Sequence, residues 1–244
     1  MFPLFVFLIF DQLLLTASHR ILAIECSHLF ISVALDLGGR VLEERADAWQ
    51  KTAETMVPLI DSLLVNAGVA LSDLDALAIS SGPGSFTALR IGMATTKGLA
   101  FGAGLPLIPV STMEALVLAA AERFDADRIV PVIPARKGEY YYTLWSREAA
   151  PAWSAGRDIS FASAVDIAAH AESFGSQCVV VGRELAGLRQ CCARSGAEVS
   201  NAEFFSAEAL IPLAQRTLAA GCLPDLASVV PDYHQKFRPH GKKS

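Results

Sequence analysis

Apolar runs separated by short polar or glycine-containing breaks recur along the chain from residue 21, and their spacing predicts the first elements of the fold. Continuous apolar runs over residues 21–27 and 30–37, then a Gly-Gly pair and a run over 40–46, predict three adjacent antiparallel strands joined in part by a hairpin. Residues 51–68 place apolar side chains at helical spacing and end in glycine. They therefore predict an amphipathic helix.

The next runs continue this pattern into a long helix. A strand is predicted over residues 74–80, followed by a Gly-Pro-Gly loop, a helix rich in small residues, and a further strand over 105–111. The order of elements in this part of the chain is therefore β-β-β-α-β-α-β.

A second, weaker copy of the same order follows. Its strands are predicted over residues 129–135, 139–145, 157–162 and 177–182, and its helices over 164–171 and 183–193. Two such halves are typical of the actin, hexokinase and Hsp70 (ASKHA) class of α/β folds, in which each half is a ribonuclease-H-like sheet covered by helices. We predict this fold, with a first domain at 21–115 and a divergent second domain at 116–235.

The two ends of the chain are predicted to lie outside these domains. Residues 1–20 begin with an apolar run, but no Lys or Arg precedes it and Asp11 interrupts it. These features favour an over-extended N-terminus over a signal peptide or membrane anchor. Residues 236–244 form a basic tail, which we interpret as a solvated terminus rather than an RNA-contacting arm.

Composition narrows the classes of function. Of 244 residues 52% are hydrophobic and 18% charged, with a net charge of -5, which predicts a folded globular chain and argues against a basic nucleic-acid-binding surface. The five cysteines include no Cys-x-x-Cys pair and the five histidines no His-x-x-x-His pair. We expect reduced thiols, a cytoplasmic protein and no metal site.

The Gly-Pro-Gly loop and the helix behind it raise the question of phosphate binding. A strand, a glycine loop and a helix N-terminus together favour an anion, but the loop lacks the lysine of a P-loop, and Lys97 lies about 15 Å along the helix from it. In the alternative, Gly82 and Gly84 permit a tight turn, Ser85 or Thr87 caps the helix and Phe86 anchors it in the core. The loop motif comprises Gly82, Pro83, Gly84, Ser85, Phe86 and Thr87.

The cleft between the two predicted halves offers few groups for nucleotide chemistry. In nucleotide-hydrolysing proteins of this fold class, an acidic residue at the end of the first strand of each half approaches metal-bound phosphates. Here the first half has Glu25 at that place, but the second has Pro134. Glu25 is either a polar residue that ends a strand or part of a residual nucleotide cleft with Ser27, Arg136 and Gly138.

Several segments resemble the TsaB (YeaZ) family of bacteria. They are "ILAIECS", "AETMVPLIDSLL", the long segment from Asp73 to Leu116 and "ARKGEYYYTLW", with weaker similarity from Ile21 to Tyr233. The chain differs from the usual family residues at Glu25-Cys26, Pro134 and His234-Gln235. These differences bear on nucleotide contacts in the cleft more than on pairing through helices.

The resemblance implies a non-catalytic scaffold subunit in the formation of N6-threonylcarbamoyladenosine (t6A) beside the tRNA anticodon. Its implied partners are the catalytic subunit TsaD, the ATPase TsaE and a second copy of the chain, with tRNA reached indirectly. ATP, ADP and metal are expected on the partner subunits, with none held by this chain. Pairing is expected through helices of the first domain, at Glu54, Pro58, Arg90, Gly92, Thr95, Thr96 and Gly98.

Two other functions stay open at this point. One is a stand-alone small-molecule kinase or carbamoyltransferase of the same fold that uses Glu25 and the cleft. The other is a homodimer that binds tRNA through the basic tail, which the net charge of -5 disfavours.

Overall fold

A computed structural model describes residues 19–28, 30–47, 51–136, 138–149, 152–155, 158–174, 177–193 and 197–232. The strands are β1 (Arg20–Glu25), β2 (Phe30–Leu37), β3 (Val41–Asp47), β4 (Ala76–Gly82), β5 (Leu107–Ser111), β6 (Arg128–Arg136), β7 (Glu139–Tyr142), β8 (Trp145–Ala149), β9 (Ala152–Ala155), β10 (Ser160–Ser163), β11 (Cys178–Gly182) and β12 (Glu198–Asn201). The helices are α1 (Thr52–Ala67), α2 (Phe86–Ala103), α3 (Thr112–Ala121), α4 (Ala164–Ser173), α5 (Ala186–Cys192) and α6 (Ile211–Ala220), with 3-10 turns at Leu71–Asp73, Ala207–Leu210 and Leu226–Ser228.

The two sheets repeat one strand order. The first runs β3-β2-β1-β4-β5 and the second β10-β7-β6-β11-β12. In each, the first three strands pair antiparallel and the remaining two are parallel. This arrangement confirms the predicted duplicated ribonuclease-H-like fold.

The central strands of the first sheet are apolar on both faces because each face is covered. Leu22 and Ile24 of β1 face a core that includes residues of α1 and α2, whereas Ile21 and Ala23 face a second core. That second core contains residues of both sheets together with α3 and α6. A strand buried on both faces reads as a continuous apolar run, which explains why these strands were predictable.

The prediction of one strand over residues 139–145 is wrong. β7 ends at Tyr142, and β8 begins at Trp145 and pairs with the opposite end of β6. β8 then forms a hairpin with β9 that the sequence pattern did not indicate. The break falls at Thr143 and Leu144, within a run of aromatic and apolar residues that does not interrupt the pattern.

The end of the described chain packs on the first sheet. The turn at Ala207–Leu210 contacts β1 and β2, and α6 contacts β1, β4 and β5. Val229 lies in the same core as α1 and α2. The domain division at residue 116 stays a prediction, and residues 1–18 and 233–244, including Tyr233, His234 and Gln235, lie outside the described residues.

Within the described part of the chain, no helix has both the length and the apolar character needed to cross a membrane.

Candidate functional site

The Gly-Pro-Gly loop closes against its own half of the molecule. Gly82 has a φ of 116° and precedes a cis peptide bond to Pro83. The Ser85 amide donates to the Ser27 carbonyl at 2.7 Å, and the Gly82 amide donates to Thr112 Oγ1 at 3.2 Å. A Cβ at Gly84 would lie 2.6 Å from Ser27. Because these amides bond inside the chain, the loop serves as a tight turn and does not direct them at a phosphate.

The start of α2 differs from the prediction. Ser85 occupies the N-cap position, but its side chain makes no capping hydrogen bond. Phe86 is 54% exposed and does not anchor the helix in the core. Its ring instead lies 3.7 Å from the Arg90 guanidinium on the outer side of the helix. The prediction that Phe86 is buried is therefore wrong.

The small residues of α2 divide between two sides of the helix. Gly92 is buried, and a Cβ there would overlap the sulfur of Cys26. Thr96 is fully buried and its hydroxyl donates to the Gly92 carbonyl at 2.8 Å. Gly92 and Thr96 pack inside the first half, so their assignment to a partner interface is corrected. Gly98 faces outward, and a Cβ there would meet nothing within 4 Å.

The other residues predicted for the interface are accessible. Glu54, Pro58 and Arg90 are exposed, and Thr95 is half-buried. They lie on α1 and α2, which pack against each other. We call the exposed sides of these two helices the helix face.

Lys97 has a structural role. Its Nζ donates to the carbonyl of Ala227 at 3.1 Å and to that of Val229 at 2.9 Å. Farther along the same segment, the Asp232 amide donates to the Ser81 carbonyl at 2.7 Å. The last described residues are thus held along α2 and beside the glycine loop.

A cavity of about 500 Å³ lies in the cleft between the halves. Its lining includes Ser27, His28, Glu54, Thr87, Pro134 and Glu184. The volume is within the range of small-molecule sites. Its walls come from the turn after β1, the first turns of α1 and α2, and the ends of β6 and β11.

Glu25 is completely buried at the end of β1. Its Oε1 accepts the Ser27 amide at 2.8 Å, and Oε2 lies 3.9 Å from Arg183 Nη1 of the second half. Among the described residues, Oε2 accepts no hydrogen bond. A buried carboxylate requires a compensating positive charge, and Arg183 supplies it. This arrangement favours the interpretation of Glu25 as a structural residue over a ligand role.

A second contact crosses the cleft beside the first. His28 Nε2 lies 3.1 Å from Glu184 Oε1. Burial lowers the pKa of His28, and Arg183 acts in the same direction, whereas Glu184 and Glu25 oppose the shift. At neutral pH His28 is therefore uncharged and donates an N–H to the Glu184 carboxylate.

The other two residues predicted for the cleft lie where β6 ends and β7 begins. Arg136 is the last residue of β6, and Gly138 has a φ of 75° in the turn before β7. The sequence interpretation missed His28, Arg183 and Glu184. A usable signal was present, because Arg183 and Glu184 directly follow the buried parallel strand β11, where ligand-facing groups of α/β sheets gather.

Titratable groups elsewhere give no sign of a metal or disulfide centre within the described ranges. No three His, Cys, Asp or Glu side chains there are placed to hold a metal ion. All five cysteines are described and are free thiols. Burial raises the pKa of the Cys26 thiol far above its ordinary value and that of Cys178 to about 11, so neither is an activated nucleophile.

Together these features define an ASKHA-type duplicated α/β chain whose cleft carboxylate is paired internally. Comparison with known proteins gives the family. A family model described as "TsaD: tRNA N6-adenosine threonylcarbamoyltransferase" matches residues 44–187. The chain is 30% identical over 204 residues to an Escherichia coli protein named tRNA threonylcarbamoyladenosine biosynthesis protein TsaB, covering 83% of this chain and 88% of that protein.

Two further comparisons agree. A Haemophilus influenzae protein also named TsaB is 41% identical over 128 residues, which are 52% of this chain and 54% of that protein. A solved structure of YeaZ from Pseudomonas aeruginosa aligns with a TM-score of 0.74 at 27% identity, over 88% of this chain and 99% of the other. The chain belongs to the TsaB (YeaZ) family.

Proposed function

We propose that this chain is the non-catalytic subunit of a tRNA t6A-forming transferase complex and that it binds a TsaD-type catalytic subunit through the helix face. The proposal rests mainly on one observation. The outer side of α1 and α2 combines exposed apolar side chains with glycines that allow the backbone of a partner to approach closely. Membership in the TsaB family supports the same function.

The helix face carries an unusual share of exposed apolar side chains. Eight large hydrophobic residues of the described chain are exposed, and four of them, Val57, Val65, Phe86 and Phe101, lie on α1 or α2. Phe101 is 81% exposed and Val65 70%. Exposed apolar surface of this kind is typical of protein interaction sites.

Glycine on the outer side of α2 has no packing reason within the described chain. At Gly98 and Gly102 an added Cβ would meet nothing within 4 Å. Glycine inside a helix costs about 0.8–1.0 kcal/mol relative to alanine, so an exposed pair is unfavourable in the isolated chain. Close contact with a helix of a partner gives these residues a role.

The match to the TsaD family model spans parts of both halves, so the expected partner shares this fold. Two related chains present comparable helices, and such surfaces can meet in a pseudo-twofold arrangement. The same reasoning supports self-association as a homodimer. We further propose a TsaE-type ATPase as a third component, tRNA contact only through the complex, and a cytoplasmic location.

The cleft supports the absence of independent catalysis and of a nucleotide or metal held by this chain. A stand-alone kinase or carbamoyltransferase would need Glu25 to reach substrate or metal, but its carboxylate is fully buried and faces Arg183. Pro134 at the cavity offers no acid or base. We propose that nucleotide and metal are bound by the partner subunits.

Co-purification of the full chain with the TsaD-type subunit of its own organism tests the proposal. We expect a stable complex in which t6A formation on tRNA requires this chain. Gly98→Trp should weaken the complex at least about tenfold, the scale of losing one well-packed interface contact. Val165→Trp, at a 66% exposed position on α4, is the control and should not affect binding.

Two outcomes would contradict the proposal. The first is the absence of any complex and of any effect on t6A formation, and the second is ATP turnover by the isolated chain that Glu25→Gln abolishes. Equal binding by wild type and Gly98→Trp would reject the helix face as the contact surface while leaving the subunit role intact.

A further inference from the structure

Two consecutive residues of the second half reach across the cleft to two residues of the first. Arg183 lies 3.9 Å from Glu25, and Glu184 lies 3.1 Å from His28. We propose that these four residues form a latch that holds the two halves closed without a ligand. The proposal concerns the isolated chain and does not depend on any partner.

Arg183 is fixed from both halves at once. Its Nε donates to the Ala202 carbonyl at 3.3 Å and its Nη2 to the carbonyl of Phe205. Its guanidinium also lies 4.1 Å from the centre of the Phe30 ring, which belongs to β2 of the first half. With Glu25 on its remaining side, the guanidinium joins the ends of β1 and β11 through several contacts of different kinds.

Glu184 has a backbone conformation that matches this role. Its φ of 56° is the only positive φ of a non-glycine residue in the described chain. Such a conformation persists where surrounding contacts hold it. The Tyr140 hydroxyl donates to the Glu184 carbonyl at 3.0 Å, and the side chain meets His28 across the cleft. The second half therefore holds Glu184 in the pose that reaches the first.

In the latch, a side chain of the protein takes the place that a bound ligand would have between the two halves. In a two-lobed α/β protein, a ligand that contacts both lobes stabilises the closed form by its differential affinity for that form. Here the positive charge opposite Glu25 belongs to Arg183, which is part of the chain. Because the cation cannot dissociate, closure does not require a bound molecule, and the two halves move as one unit.

Hydrogen–deuterium exchange of the full chain tests the latch. Arg183→Met keeps much of the side-chain length but leaves the Glu25 carboxylate buried and unpaired, so we expect exchange over residues 20–28 and 178–192 to accelerate by roughly tenfold or more. Arg147→Met is the matched control. Arg147 pairs with Asp125 at 3.1 Å and lies over Trp153, entirely within the second half.

Two further variants keep the test decisive if Arg183→Met folds poorly. Glu25→Gln retains an acceptor for the Ser27 amide but removes the charge, and should give a smaller acceleration in the same two segments. The double variant Glu25→Gln/Arg183→Met no longer buries an unpaired carboxylate, so its melting temperature should exceed that of Arg183→Met.

MgATP serves as the probe for ligand dependence. We expect no change in the exchange of either segment of the wild type when MgATP is added. Protection of both segments by MgATP would overturn the proposal, because closure would then depend on a ligand. Exchange in Arg183→Met and Glu25→Gln that matches Arg147→Met would overturn it as well, since the cross-cleft pair would then contribute nothing to closure.

Discussion

The loops that follow β4 and β11, the fourth strands in the lateral order of the two sheets, make contacts with different parts of the molecule. After β4, residues 82–85 turn back and bond to Ser27 and Thr112 of the first part of the chain. After β11, residues 182–185 extend across the cleft to Glu25 and His28. The strand order is thus the same in the two halves, whereas the two loops have separate structural roles.

The helices behind these loops differ in the same way. α2 has 18 residues and leaves one side exposed, while α5 has 7 residues and buries Leu188 and Cys192. Only the first of these helices is long enough to offer an extended surface. The asymmetry between the halves thus accounts for placing the proposed partner surface on the first half alone.

The largest expected effect is at Gly182 of β11, which pairs with Val132 of β6. A Cβ there would overlap the Val132 carbonyl, which is backbone and cannot rotate away. Gly182→Ala should lower the free energy of unfolding by about 3 kcal/mol or more in urea titration. Gly187→Ala on α5, which meets only the Tyr140 hydroxyl at 3.9 Å, is the control. Equal stability of the two variants would show that the strands can separate without cost.

A smaller effect distinguishes the two sides of α2. Gly92→Ala should destabilise the chain by about 2 kcal/mol, because the added methyl group meets Cys26 in the core. Gly98→Ala should instead stabilise it by up to about 0.8–1.0 kcal/mol through helix propensity. Urea titration measures both. Destabilisation by Gly98→Ala comparable with that of Gly92→Ala would mean that the outer side of α2 is packed within the chain.

The contact between Lys97 and the carboxyl-terminal segment gives the next effect. Lys97→Met removes charge-assisted hydrogen bonds to two backbone carbonyls and should cost about 1 kcal/mol. Exchange over residues 225–232 should accelerate, whereas Arg189→Met, at an exposed position on α5 of the second half, should leave it unchanged. Unaltered exchange in Lys97→Met would mean that the burial of Val229 alone holds this segment in place.

The smallest expected effect is a pH dependence of stability that arises where residues 182–185 meet His28 across the cleft. The pKa of His28 is lowered in the folded chain, so the unfolded chain binds the proton more readily. Stability should therefore fall as the pH drops through the ordinary histidine pKa of about 6.5. The groups that face His28 are Arg183, Glu184 and Glu25.

His28→Gln tests this dependence because it keeps a neutral hydrogen-bond donor toward Glu184. Melting temperatures at pH 7.5 and 5.5 should differ less for this variant than for the wild type. If the difference in melting temperature is as large in His28→Gln as in the wild type, other groups cause the acid sensitivity. The loop after β11 would then be no more sensitive to pH than the loop after β4, whose contacts use amides and a hydroxyl.

Much of the fold could be predicted because apolar spacing is a local property. The strands β1 to β5 and the helix α1 were predicted to within a few residues, since buried strands and amphipathic helices have distinct periods. The hairpin of β8 and β9 was missed because the run over 139–145 has no break in its pattern. The packing of the last described residues could not be predicted, because it depends on contacts between residues that are far apart in sequence.

The candidate site, like the fold, could be predicted from the sequence only in part. The duplicated α/β fold, the family and the small-residue helix after a glycine loop could all be predicted from the sequence alone. The orientation of Gly92 toward the core and of Gly98 toward solvent, and the contact of Glu25 with Arg183, depend on tertiary packing. Residue type and spacing specify which faces of a helix or strand are apolar, but the partner of each face is set by packing between elements that are distant along the chain.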